Sequence, residues 1–231
     1  MKEVDLIELR EYFGELFTGF GLKSVEAEWG YVLEPMKELV PVAAAYWIDR
    51  LCDDGKLMVH INKRPMSRTK LLVVTAHEVL GHLYHYDLVR KHCFDLSKRL
   101  PVMNRYPLTE GVAMMAEDKL AEILDDENIL KMVLRGKLLR CVRYLFELLI
   151  YKEKIDLDKA IDILVDLSGL DENDLREDLL SFLSTPGYAS CYWGGYLRMK
   201  SLKVDFWSAV GGRKLGEMGM DIFITPFNSP S

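Results

Sequence analysis

Residues 75–86 read Thr-Ala-His-Glu-Val-Leu-Gly-His-Leu-Tyr-His-Tyr and hold three of the chain's five histidines. Four apolar residues, Leu71 to Val74, run straight into His77. The segment from Thr69 to about Lys91 is continuously compatible with a helix, which puts His77 on a buried part of it. An unpaired polar side chain in such a place is costly, so the fold has to supply it with a partner. A metal ion suits a His-Glu pair followed by a second histidine, because neutral imidazoles ligate and the carboxylate can work on a bound water. The familiar helical spacing of the two histidines is four residues, H-E-x-x-H. Here His77 and His82 stand five apart.

On a regular helix five steps turn roughly 140° beyond a full turn, so the two rings diverge. One arrangement that rescues the pair is a π-bulge, which brings positions five apart onto one face. Gly81, between the histidines, lowers the cost of that distortion. The rival arrangement keeps the helix regular and uses Glu78, His82 and His85, whose steps of four and three share a face. In that version Glu78 becomes a ligand and the site has no base. The first arrangement needs a third ligand, leaving one position open for water. Glu110 is the candidate, near the start of a helix expected to be N-capped by Thr109 and to run to about Asp125, after a loop bracketed by Pro101 and Pro107. A bland reading of Glu110 is a helix-start carboxylate favoured by the macrodipole. Glu117, seven residues on, shares its face and is placed to orient a ligand histidine.

Elsewhere the pattern is mostly helical. Residues 3–20 carry an apolar stripe through Leu6, Leu9, Phe13, Leu16 and Phe17, which makes 1–22 an N-terminal helix. Residues 42–48 and 56–62 look like two strands, and Asp53-Asp54-Gly55 between them is hairpin turn chemistry. Further helices are expected over 128–152, 157–168, 171–183 and 187–208, with Asp156 and Asp171 before the second and third. Residues 209–231 read as a loose, glycine-rich tail. No repeat or linker divides the 231 residues, so the expectation is a single domain, mainly α, with a small β-hairpin beside the metal-binding helix.

The net charge of −6 and the lack of a basic stripe give no reason to expect nucleic acid. No apolar stretch approaches the roughly 18 residues of a membrane span, and the start of the chain does not read as a signal peptide. Cys52, Cys93, Cys141 and Cys191 are widely spaced with no C-x-x-C pair, which points to free thiols and a cytoplasmic location. His60, on an apolar strand, reads as structural, with a strand edge beside the metal helix as its functional alternative. Arg198 is a candidate for binding a substrate carboxylate, against the commoner fate of a surface ion pair.

Three motifs in order carry a resemblance. They are His77-Glu78-Val79-Leu80-Gly81-His82, then Glu110-Gly111-Val112-Ala113, then Pro186-Gly187-Tyr188-Ala189-Ser190-Cys191-Tyr192. Together, over about residues 40–205, they resemble the DUF885 group of zinc metallopeptidases; the five-residue step also resembles the tyrosine-carboxypeptidase-like proteins of the DUF1704 group. The resemblance implies a zincin-like fold, zinc held by His77, His82 and Glu110, Glu78 as general base, and Tyr192 as hydroxyl donor to the developing oxyanion. The substrate implied is a peptide or small amide. The chain departs from the DUF885 pattern in lacking the proline before Gly81, which shortens the histidine spacing by one, in having His85 and Tyr188 where glutamines are usual, and in having Ser181 where an arginine is expected. Those departures, and a chain shorter than typical members, motivate a second expectation: a zincin-like binding or regulatory protein without turnover. A hydrolase of non-peptide amides or esters is a third.

Overall fold

The computed structural model describes residues 67–85, 102–203, 205, 206 and 209, and the backbone of three short strands. The expected N-terminal helix, the turn at Asp53–Gly55, residues 86–91 of the long helix and the glycine-rich tail beyond Ala209 lie outside the described residues.

The strands are β1 (Gly30–Val32), β2 (Tyr46–Trp47) and β3 (Met58–His60), in the order β1-β3-β2. β2 runs antiparallel to β3, with Tyr46 opposite His60 and Trp47 opposite Val59. β1, which no sequence signal announced, adds on the other side in parallel. β3 is thus central and paired on both sides, so His60 is not on a sheet edge able to take up a peptide strand.

Helix α1 (Arg68–Thr75) starts at Ser67, whose hydroxyl accepts the Lys70 N–H at 3.2 Å. It continues without a break as a nine-residue π-helix, Ala76–Tyr84. α2 (Val102–Leu124) follows, then α3 (Glu127–Glu147), which widens into a second π-helical stretch at Leu148–Lys152. α4 (Leu157–Ser168), α5 (Glu172–Phe182) and α6 (Tyr188–Ser201) complete the described helices. Asp126, Asp156 and Asp171 each accept two N–H groups of the turn that follows, and so fix where α3, α4 and α5 begin. Gly169 ends α4 at φ 65°, a left-handed conformation that favours glycine.

Thr109 does not cap a helix. It is buried inside α2, which begins at Val102 and runs through Pro107, so neither proline-bracketed loop nor N-cap exists there. Pro107 is the sixth residue of α2, so it gives up an N–H bond the helix would otherwise make, and the burial of α2 outweighs that loss. Glu110 is therefore two turns inside α2. The macrodipole, which acts on the first turn, does not account for it.

α2 is the central element. Every residue from Thr109 to Glu117 is buried, and it packs against the π-helix on one side and α6 on another. Glycines set those approaches, two of them most tightly. A Cβ on Gly81 would overlap the Ala113 backbone, and one on Gly195 would overlap the Pro107 carbonyl. A separate apolar cluster of Val142, Phe146, Ile161, Leu164, Leu175 and Leu179 joins α3, α4 and α5. Gly195→Ala should lower unfolding free energy by about 3 kcal/mol, the upper range for overpacking, because the obstacle is backbone and cannot rotate away. Chemical denaturation would measure it; an unchanged midpoint would show that α2 and α6 do not meet this closely.

Candidate metal centre

The π-helix brings the two histidines together. A helix bonded from i to i+5 puts positions five apart on one face, and the His77 and His82 rings meet edge-on with centroids 5.0 Å apart. Glu110 reaches the same point from α2. Its Oε2 lies 3.3 Å from His77 Nε2 and 3.6 Å from His82 Nε2. Ligand atoms about 2.0–2.2 Å from a tetrahedral ion stand roughly 3.3–3.6 Å from one another, so Glu110 Oε2 stands from each histidine nitrogen at the separation a shared zinc ion needs. All three side chains are buried.

The tautomer of His77 sharpens the point. Its Nδ1 lies 2.7 Å from Glu117 Oε1. Glu117 in turn accepts two hydrogen bonds from Arg140, 2.9 and 2.6 Å long. That guanidinium holds Glu117 below the usual carboxylate range against the opposing effect of burial, so Glu117 is an acceptor only and His77 must donate from Nδ1. A neutral His77 then turns its Nε2 lone pair toward Glu110 Oε2, a buried oxygen with no hydrogen-bond partner. Lone pairs converging on one point are stabilised by a positive charge between them, which a metal ion or a proton on His77 can supply. Burial opposes a proton on His77, yet Glu110 and Glu117 outweigh it and lift its pKa to about 10. The facing imidazoles likewise hold Glu110 well below its ordinary value although burial acts the other way. Three carboxylates (Glu78, Glu110, Glu117) against one guanidinium leave two negative charges when the histidines are neutral, the complement of a divalent cation.

A Glu78 carboxylate oxygen lies within 4.8 Å of ligand nitrogens of both histidines. Glu110 Oε2 lies within 3.6 Å of both histidines, and Glu78 is the part-exposed member of its group, so Glu110 is the candidate third ligand and Glu78 the candidate base. Burial raises the pKa of Glu78 despite the neighbouring histidines. The regular helix that Glu78, His82 and His85 would need is replaced by the π-helix, and His85 sits buried at its end.

α6 supplies the remaining wall. Tyr192 stacks on His77 with centroids 6.2 Å apart. Its hydroxyl donates to Tyr188 Oη at 3.1 Å, and Tyr188 Oη donates to Glu110 Oε1 at 3.2 Å. Burial, then the charge of Glu110, keeps both phenols protonated. Arg198 does not join them. It is exposed on α6, six positions and so roughly 240° around the helix from Tyr192. One member of the site went unread in the sequence. Arg140 sits in the helix expected over 128–152, and only its charge could have marked it.

Glu117→Gln should weaken zinc binding about 10- to 100-fold, the usual cost of removing a group that orients a ligand histidine. Titration calorimetry would measure it, and an affinity equal to wild type would rule out that role for Glu117.

No known family model matches the chain, and no curated protein matches it. Among solved structures it is similar to a crystal structure described as "the putative lipoprotein from Colwellia psychrerythraea", with a TM-score of 0.65 and 19% identity. The match covers 86% of this chain and 36% of that one, so the chain spans about a third of that protein's length. The likeness is one of fold. Among the described residues, no helix is long and apolar enough to cross a membrane.

Proposed function

We propose that the chain is a zinc-dependent hydrolase of peptide bonds, of the kind its three ordered motifs resemble in the DUF885 group. One observation carries the reading: Glu110 Oε2 lies 3.3 Å from His77 Nε2 and 3.6 Å from His82 Nε2, the two histidines standing on a helix widened where the five-residue step demands it. Zinc, when bound there, supplies Lewis-acid polarisation of a carbonyl and a water of lowered pKa.

The chain's own groups do the rest. Glu78 takes the proton of the attacking water and returns it to the leaving amine; a raised carboxylate pKa suits a group that must do both. Glu117, held by Arg140, keeps His77 in the tautomer that presents Nε2. Tyr192, protonated and packed over His77, donates its hydroxyl to the carbonyl oxygen as negative charge develops.

Metal analysis of the purified protein should give about one zinc per chain, consistent with a single three-ligand site. Failure to retain or take up zinc would end the proposal. A peptide library compared with small amides then separates peptidase from amidase, and bound zinc with no turnover on either would favour a binding role.

A further inference from the structure

Glu147 has no part in the hydrolytic scheme, yet it is a buried carboxylate with both oxygens engaged. Oε1 accepts the Gly187 N–H at 2.7 Å. Oε2 accepts the Ser190 N–H at 2.7 Å and also the Ser190 hydroxyl. These donors belong to the first turn of α6 and stand on either side of Tyr188. α6 cannot cap itself, because its N-cap is Gly187, a residue without a side chain at φ 87°. The orphan N–H groups and the positive end of a 14-residue helix are met instead by a carboxylate from α3. α3 changes form at the next residue, where the π-helical stretch Leu148–Lys152 begins and the Glu153 N–H reaches back five residues to the Leu148 carbonyl at 3.0 Å.

Tyr188 is what the clamp delivers to the metal centre. Its hydroxyl donates to Glu110 Oε1, the oxygen other than the one nearest the histidines, so Glu110 offers Oε2 alone. Tyr192, one turn further along the same helix, donates to Tyr188 and lies over His77. We propose that Glu147 is a positioning residue for this centre: by fixing the first turn of α6 it aims Tyr188 at Glu110, restricts Glu110 to one-oxygen presentation, and seats Tyr192. Released from the clamp, Tyr188 leaves Glu110 Oε1 without its donor, and the carboxylate is free to rotate away from the histidines.

The inference rests on the proposed hydrolase reading only for its metal-binding consequence, and the test has an arm for each. Zinc titration compares wild type, Glu147→Gln, Tyr188→Phe and the double variant. Gln keeps one acceptor oxygen but turns an amide NH₂ toward one of the donors. Each single variant is expected to bind zinc at least about 10-fold more weakly, as for other groups that orient ligands. The double variant is expected to be no weaker than the worse single, because both act through one hydrogen bond to Glu110. Losses that multiply, or wild-type affinity in Glu147→Gln, would overturn the proposal. A role confined to helix stability would lower the melting temperature and leave the affinity of the folded protein unchanged. The second arm is the crystal structure of Glu147→Gln, read at the Tyr188 Oη to Glu110 Oε1 distance. A separation well beyond 3.2 Å supports the clamp and an unchanged one refutes it, even if wild type binds no zinc and the hydrolase reading falls. Should Glu147→Gln fail to fold, Ser190→Ala removes one of the clamp's three donors, the hydroxyl, and carries the same two measurements.

Discussion

Glu78→Gln should keep its zinc and lose peptide hydrolysis by about 10²- to 10⁴-fold, the usual worth of a positioned general base. The substitution is nearly isosteric, so the packing around a part-exposed side chain is undisturbed. What disappears is a carboxylate that can accept a proton. Zinc should stay because the proposed ligands are His77, His82 and Glu110, whose Oε2 lies 3.3 and 3.6 Å from the two histidine nitrogens, and none of them is altered. The outcome also decides between the two ligand sets open in the sequence. If Glu78, His82 and His85 held the metal, Glu78→Gln would replace a ligand and zinc affinity would fall with activity. Metal content and kcat measured on one preparation separate the cases: loss of both rejects Glu78 as base, and full activity rejects it altogether.

The five-residue histidine step was informative because the geometry of a helix is rigid. With a regular helix excluded for His77 and His82 as partners, the helix had to be widened or broken between them, and the π-helix at Ala76–Tyr84 is the widening. Glu117 was legible for the same reason, since seven residues from Glu110 is two turns on one face. The helix starts at Asp156 and Asp171 were legible because capping is local chemistry. Thr109 misled because a threonine after a proline has the look of a cap, whereas the burial of α2 between the π-helix and α6 carries the helix through Pro107. β1 was invisible because a three-residue strand owes its existence to the partner it pairs with. Arg140 and Glu147 share that difficulty. Their roles are set by Glu117 and by the first turn of α6, which lie 23 and 40 or more residues away in sequence.

His82→Ala should abolish zinc binding and hydrolysis together, and it should also abolish the stabilisation that zinc confers. A ligand present at 1,000 times its Kd stabilises the folded state by about 4 kcal/mol, so wild type should melt several degrees higher with zinc than with chelator. In His82→Ala the two melting curves should coincide. The metal-free variant itself should remain folded, because the π-helix is held from outside the histidine: Gly81 lies against Ala113 on α2 and Leu80 is fully buried. The removed ring is what turns that close approach into a binding point, since His77 and Glu110 alone leave two ligands where a catalytic zinc site uses three. A zinc-dependent rise in melting temperature that survives His82→Ala would show that the metal, if bound at all, is held elsewhere. The reading of the five-residue step as a ligand pair would then be wrong, however wide the helix beneath it.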